Sequence, residues 1–310
     1  MTQASLIIPS RGGRDRLPRL FAALEQQTHR DLEVVVVIDG DADDSESLAR
    51  SWARHIPLTT IVLPDNRGRS VALNTGFGAA EGQVLIRCDD DLEPGPDHVA
   101  RHVAHHDGDQ VGVIGLCPNV LADTAYTRAY GRRREQLFRS QAFALPAQQR
   151  WRLWGANVSV RRDTWRDIGG YDTAYRAYGF EDVDWGYRLH RAGIPLILDP
   201  ELDARHHGAV TTTRDRALRA YHSGAARHTF EQIHGTGAIG PLGQPAGVWG
   251  RAIFLAGRQL GKSGIDKLGR TVDRLADSLP RPVAEKAVAF TVEAAAEAGR
   301  RHPDEIDVSI

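Results

Sequence analysis

Cysteine is nearly missing from this chain: Cys88 and Cys117 are its only two among 310 residues. Two thiols build neither a disulfide framework nor a four-ligand zinc site, and they fit a reducing compartment. Net charge is nearly missing too. Lys and Arg number 39 against 40 Asp and Glu, a balance of -1. That removes a global electrostatic case for nucleic acid. Long apolar runs are absent: no window approaches about 18 uninterrupted apolar residues, so no transmembrane helix is predicted. The start, Met-Thr-Gln-Ala-Ser, has no basic region before the short apolar run at Leu6–Ile8. A signal sequence is therefore not expected, and the reading is a soluble cytoplasmic protein. What remains is ordinary globular usage, 41% hydrophobic and 25% charged. It supplies a sizeable core and excludes collagen and disordered tails. The length favours about two domains.

Strands and helices alternate at short intervals through the first 90 residues. Ala4–Pro9, Glu33–Ile38, Thr59–Leu63 and Val84–Cys88 read as strands. The run Glu-Val-Val-Val-Val-Ile suits a parallel strand covered on both faces. Residues 15–28 carry Leu17, Leu20, Phe21 and Leu24 at helical spacing. Further helices are predicted at 45–55 and 66–82. This alternation argues an α/β fold with a mostly parallel, Rossmann-like sheet flanked by helices. Ligands of such sheets bind at the carboxyl ends of the strands. Those ends are Pro9-Ser10-Arg11, Asp39-Gly40-Asp41 and Asp89-Asp90-Asp91, so acidic and polar residues gather along one edge.

A second region starts near Gly155, with a strand at 157–160, helices at 164–168 and 181–192, and a strand at 195–198. Gly193 is placed to end the helix before it. After about residue 213, β-branched runs vanish and helical spacing dominates. Helices are predicted at 214–233, 248–260, 264–278 and 282–300, with a Gly/Pro-rich break at 235–247.

Asp89-Asp90-Asp91 is the strongest local signal. Three adjacent carboxylates repel one another unless a cation or solvent offsets them. Thiolate-free, oxygen-rich ligation suits Mg²⁺ or Mn²⁺ shared with substrate phosphates. A solvated acidic turn is the plain alternative. Tyr178-Gly179-Phe180-Glu181-Asp182-Val183-Asp184-Trp185 puts carboxylates at a helix start, where the dipole stabilises them. Arg205-His206-His207 then offers histidine as a third metal ligand.

In their order these segments resemble glycosyltransferase family 2, nucleotide-sugar enzymes with the GT-A fold. Ile8-Pro9-Ser10-Arg11 resembles the family's first strand and turn, although Gly12-Gly13 replaces an aromatic-Asn pair often found there. Val36 to Asp41 resembles the second-strand motif, with Ile38 in place of its first acid. Asp89-Asp90-Asp91 matches the metal-binding Asp-x-Asp. Gly155-Ala156-Asn157, Gly169-Gly170-Tyr171-Asp172 and Gly179-Phe180-Glu181-Asp182 resemble an acceptor half like the C-terminal segment of galactosyltransferases. The resemblance implies a GT-A catalytic domain over 1–212. Its nucleotide-sugar half is about 1–120 and its acceptor half about 150–212. Residues 213–310 form a helical extension. It implies transfer of a hexose-type sugar from a nucleotide diphosphate sugar, a UDP-sugar first, to a hydroxyl acceptor. That acceptor is a saccharide, a lipid-linked saccharide or a small-molecule glycoside, and inversion is favoured.

The resemblance makes Asp182 the base. Pro9, Ser10, Arg11, Asp39, Arg69, Asp89, Asp90, Gly155 and Asn157 go to the donor. Trp154, Glu181 and Trp185 go to the acceptor. Asp91 and Asp89 hold Mn²⁺ or Mg²⁺, with His206 or His207 completing the shell. A sugar nucleotidyltransferase would carry a lysine-containing glycine loop, which Arg11-Gly12-Gly13-Arg14 lacks. A non-catalytic binding module would not need both Asp91 and Asp182.

Other signals weigh less. His98, His102, His105 and His106 have helical spacing but no intervening Glu, and read as surface or packing histidines. Gly76-Phe77-Gly78 has Glu81 where a dinucleotide fingerprint needs glycine. The basic stretch Tyr126–Arg152 reads as a solvated face or as a mobile loop that meets an anion. Val248–Arg270 is basic and amphipathic, suited to peripheral membrane contact at the inner face or to a homodimer through the C-terminal helices.

Overall fold

The computed structural model of the chain describes residues 3–175, 179–240 and 247–305. Tyr178 and residues 241–246 of the Gly/Pro-rich break lie outside the described residues.

The first half alternates as the sequence predicts. Strands β1 (Ala4–Ser10), β2 (Leu32–Asp39), β3 (Leu58–Leu63) and β4 (Val84–Cys88) are linked by helices α1 (Leu17–Glu25), α2 (Ser45–Trp52) and α3 (Arg69–Ala79). The strands pair in parallel in the order β3-β2-β1-β4. Every residue of β1 and β4 is buried, and every residue of β2 except Glu33. That is the burial expected of strands covered on both faces. α1 turns Leu17, Leu20, Phe21 and Leu24 inward as one apolar stripe. α3 lies so close to the sheet that a Cβ on Gly76 would stand 2.6 Å from Ile7 Cγ2. Gly76 therefore serves helix-on-sheet packing.

Beyond β4 come β5 (Leu92–Glu93), α4 (His98–Ala104), β6 (Gly112–Ile114), α5 (Arg132–Ala144), β7 (Asn157–Arg161), α6 (Arg162–Ile168), α7 (Glu181–Arg191), β8 (Leu196–Leu198) and β9 (Arg205–His206). β7 joins antiparallel to β4, which completes a seven-stranded, mostly parallel sheet in the order β3-β2-β1-β4-β7-β6-β8. β5 and β9 form a separate antiparallel ribbon with Leu92 opposite His206. Gly193 follows α7 with φ +76°, the left-handed cap that the sequence suggests.

The basic stretch is largely helical rather than a loop. α5 buries only Ala142, so it has no apolar stripe for sequence periodicity to reveal. Three of its arginines, and Arg128 before it, are ion-paired: Arg128 with Asp123 and Asp277, Arg132 with Asp123, Arg133 with Glu285 and Arg139 with Asp203.

Two compact units divide the chain. One takes residues to Val120, Arg139–Thr173 and Glu181–Gly208; the other is built mainly from Leu121–Phe138 and the chain after Ala209. The second unit contains α8 (Thr213–His234), α9 (Gly247–Gln259), α10 (Lys262–Leu275) and α11 (Arg281–Arg301), close to the predicted helices. Thr212 caps α8 by accepting the Asp215 N–H at 3.0 Å. Tyr221, Ile265, Val288 and Val292 lie in its core. Among the described residues, no helix is long and apolar enough to cross a membrane.

Candidate active site

The sheet brings the predicted edge together. β1 ends at Ser10, β2 at Asp39, and β4 runs directly into Asp89–Asp91. The repulsion among the three adjacent carboxylates is relieved by giving each its own partner. Asp90 accepts from Ser10 Oγ at 2.6 Å, Arg16 Nε at 2.9 Å and Arg16 Nη2 at 2.8 Å. Gly13 leaves room for this cluster, because a Cβ there would stand 2.1 Å from Ser10 Oγ and 2.9 Å from Asp90. Burial still raises the Asp90 pKa, against the pull of Arg16. The Arg11 side chain is exposed, and its carbonyl accepts from Arg16 Nη2 at 2.8 Å. Arg16, which sequence reasoning passed over, is the arginine at the acidic cluster.

Asp89 is held by Arg87, with Nε–Oδ1 at 2.8 Å and Nη2–Oδ2 at 3.1 Å. Arg87 has no exposed surface, and its Nη1 also donates to Asp182 in the first turn of α7. A single buried guanidinium thus ties Asp89 to the predicted base. Sequence carried a signal for it. A lone Arg interrupts the apolar strand Val84-Leu85-Ile86, two residues before Asp89, and strand alternation puts both on one face. The guanidinium also lies 5.8 Å from the Tyr171 ring centroid. Asn74 fixes Tyr171 through a two-way clamp, Nδ2 to the Tyr171 carbonyl at 2.8 Å and the Tyr171 N–H to Oδ1 at 2.7 Å.

Glu181 is 2% exposed, and its Oε2 has no hydrogen-bond partner. Its Oε1 lies 3.5 Å from Nη1 of Arg69, whose side chain stays 41% exposed. Burial, then the neighbouring Asp182 charge, push the Glu181 pKa up to about 7 against Arg69 and Arg87. Asp184 pairs with Arg188 at 2.9 Å, and Arg188 donates to the carbonyls of Ile168 and Gly170. That pair ties α7 to the Gly169–Gly170 turn that follows α6.

Asp91 faces His206, with Oδ2 3.1 Å from Nε2. Burial opposes its charge, but the His206 hydrogen bond and the nearby cations outweigh this and hold its pKa below the ordinary value. His207 turns away, its Nε2 on Glu93 Oε2 at 2.5 Å. Of the two histidines, His206 is the one at Asp91. Gly208 closes over both: a Cβ there would stand 2.0 Å from Asp91 Oδ2 and 3.0 Å from His206 Nε2. Among the described residues, no three His, Cys, Asp or Glu side chains form a metal-holding group. Asp91 and His206 are a two-donor oxygen–nitrogen pair. Such a pair fits an ion that takes its other ligands from phosphate and water.

Other predicted residues lie elsewhere or do other work. Asp39 is buried and accepts the N–H groups of Arg67 at 2.6 Å and Gly68 at 2.8 Å. Asp41 accepts from Ser45 N at the start of α2. Pro9 is a buried strand residue opposite Val37. Gly155 lies in the loop before β7, with only the Leu153 carbonyl near a Cβ position. The Asn157 carboxamide is committed to His102 Nε2 at 3.0 Å and the Leu202 carbonyl at 2.6 Å, inside the core. Trp154 and Trp185 are 3% and 1% exposed and stack on each other at 5.2 Å. Trp185 Nε1 donates to the Gly169 carbonyl at 2.8 Å. These indoles form a buried stack rather than a wall open to a sugar, because the Gly169–Tyr171 loop folds over them.

His98, His102 and His106 are buried packing residues, and only His105 is partly open. Ser159 Oγ lies 2.8 Å from both His102 Nδ1 and His106 Nε2. Burial pulls the pKa values of His98 and His106 down to about 4, and His102 well below its ordinary value.

Comparison with known proteins agrees with this architecture. A family model described as glycosyl transferase family 2 matches residues 5–169, and one described as the N-terminal domain of galactosyltransferase matches residues 137–206. The uncharacterized glycosyltransferase YfnE of Bacillus subtilis is 27% identical over 66% of this chain and 64% of its own. The validoxylamine A glucosyltransferase of Streptomyces hygroscopicus subsp. jinggangensis is 29% identical over 64% of this chain and 53% of its own. The undecaprenyl-phosphate 4-deoxy-4-formamido-L-arabinose transferase of Pseudomonas syringae is 30% identical over 58% and 48%. The chain therefore spans about half to two thirds of these relatives. Among solved structures, the mannosyltransferase PcManGT of Pyrobaculum calidifontis, in complex with GDP-Man and Mn²⁺, shares the fold. It gives a TM-score of 0.63 at 19% identity, over 96% of this chain and 86% of its own.

Proposed function

This chain belongs to glycosyl transferase family 2, and on that premise we propose that it moves a hexose-type sugar from a nucleotide diphosphate sugar to a hydroxyl acceptor with inversion. The observation that carries the reading is the convergence of Asp91–His206, Asp89–Arg87–Asp182 and Arg69–Glu181 at one strand edge. The donor we favour is a UDP-sugar, with GDP tested beside it because the solved mannosyltransferase carries GDP-Man. A carboxylate has about four lone-pair sites, so Asp39 keeps accepting capacity for a base N–H beyond its two backbone partners. Asp91 and His206 would hold Mn²⁺ or Mg²⁺. The ion, when bound, supplies Lewis-acid stabilisation of the departing diphosphate.

Asp182 takes the proton of the acceptor hydroxyl as that oxygen bonds to the anomeric carbon. The bond from that carbon to the diphosphate oxygen breaks, and the diphosphate leaves with the electron pair. Arg87 orients Asp182. General-base help of this kind is typically worth about 10²–10⁴ in rate. Relatives named for validoxylamine A and for undecaprenyl-phosphate support a small-molecule or a lipid-linked acceptor. A second assignment of the base is favoured by Glu181, whose free Oε2 and pKa near 7 suit a proton acceptor at neutral pH. Asp182→Asn and Glu181→Gln separate the two: the base variant loses transfer while donor binding survives.

Calorimetry with UDP, GDP and dTDP, with and without Mn²⁺, tests the donor site. Mn²⁺-dependent binding of one nucleotide, lost in Asp91→Ala, is expected. Folded protein that binds none of the three refutes the reading.

A further inference from the structure

We infer that Asn119 is a positioning residue that fixes the tautomer of His206, so that Nε2 faces the ion with its lone pair. The inference rests on the proposed ion site at Asp91. His206 is held by its backbone on two sides. It pairs with Leu92 across the β5–β9 ribbon, its N–H donates to the Pro118 carbonyl at 2.9 Å, and its carbonyl accepts the Val120 N–H at 2.9 Å. The backbone therefore leaves the ring little freedom except the choice of which nitrogen carries the proton.

Asn119 makes that choice. Its Oδ1 stands 2.7 Å from His206 Nδ1, while Nε2 points at Asp91 Oδ2. An amide oxygen accepts and does not donate, so this contact requires a proton on Nδ1. A neutral imidazole carries one proton, and placing it on Nδ1 leaves a bare Nε2 beside the Asp91 carboxylate, two lone-pair donors 3.1 Å apart that a shared cation would satisfy. His207 is set the other way, with Nε2 against Glu93 Oε2, where a neutral ring would spend its proton. The same few residues thus prepare one histidine for an ion and commit its neighbour to the Glu93 carboxylate. Partners of this kind behind a ligating histidine are typically worth 10–100-fold in metal affinity.

The test titrates Mn²⁺ into the full chain with UDP or GDP present and reads free Mn²⁺ by electron paramagnetic resonance. Asn119→Leu is expected to weaken Mn²⁺ binding by about 10–100-fold, with nucleotide binding in the absence of metal and the thermal midpoint unchanged. Asn119→Asp keeps an accepting oxygen and should bind Mn²⁺ within a few-fold of wild type or more tightly. ¹⁵N histidine spectra of the wild-type protein with Mg²⁺ and nucleotide should show Nδ1 protonated and Nε2 bare. That readout decides the matter even if Asn119→Leu does not fold. A proton on Nε2 in the ion-loaded protein, or unchanged Mn²⁺ affinity in folded Asn119→Leu, overturns the inference. Asp91→Ala and His206→Gln serve as controls. If neither moves Mn²⁺ affinity, the ion site itself is wrong and this inference falls with it. If both weaken it while Asn119→Leu does not, only the role of Asn119 is lost.

Discussion

Acid should loosen this protein through its buried histidines, and His98→Leu isolates the effect. His98 lies 3% exposed in α4, its Nε2 has no hydrogen-bond partner, and its ring meets His102 edge-on at 4.7 Å. Burial lowers its pKa from 6.5 to about 4. The folded state therefore keeps the ring neutral while the unfolded chain takes up a proton below 6.5. The stability this group contributes is full above the unfolded value and is lost as pH falls toward the folded one. Between pH 8 and pH 5 the loss is ~2 kcal/mol for His98 by linkage. His106, shifted to about 4 by burial and by His105 and Arg161, adds a similar amount.

Glu181, with its raised pKa, works in the opposite direction across part of that range. The variant comparison cancels it. Relative to wild type, His98→Leu should gain ~2 kcal/mol in urea unfolding at pH 5 over its value at pH 8. A stability difference that stays constant between those two pH values would refute the assignment of a neutral, desolvated His98.

The remaining predictions concern the site and its support. Arg87→Met leaves Asp89 buried and Asp182 half-buried without their shared cation; unfolding should cost ~3–5 kcal/mol less, and transfer should vanish. Arg87→Lys should not rescue transfer, since an ammonium does not reproduce the bidentate fork on Asp89. Gly208→Ala puts a methyl 2.0 Å from Asp91 Oδ2, so Mn²⁺ affinity should fall by more than tenfold, roughly the loss of one liganding contact, with an unchanged circular dichroism spectrum. Trp185→Ala should cost ~3–5 kcal/mol in thermal or urea unfolding, the mark of a core residue. A change confined to acceptor KM would instead return the indole to the acceptor site.

The first four strands are legible because they are continuous apolar runs and three of them end in polar turns. Ser10, Asp39 and Asp89–Asp91 follow from that pattern alone. Strands β5, β6 and β9 were not legible, since two or three residues give no periodicity. α5 escaped because it has no apolar face to count. The choice between His206 and His207 was beyond sequence, because adjacent residues differ only in which way the ribbon turns each ring. The family resemblance carries Trp154 and Trp185 toward the acceptor, and only the fold shows that the Gly169–Tyr171 loop covers them. Asn157 was misplaced for a related reason: only the fold shows that its amide is spent on His102 and Leu202.

Strand β4 also decides how this protein can be taken apart. It pairs in parallel with β1 on one side and antiparallel with β7 on the other, and it carries Arg87. The strands before and after residue 150 therefore belong to one sheet through β4 instead of meeting across a linker. A fragment that stops before residue 150 would expose the bare edge of β4, a row of unpaired backbone groups beside an apolar face, which invites edge-to-edge aggregation. Exchange of acceptor specificity between relatives is thus better done by grafting loops around α7 than by swapping halves at the middle of the sequence.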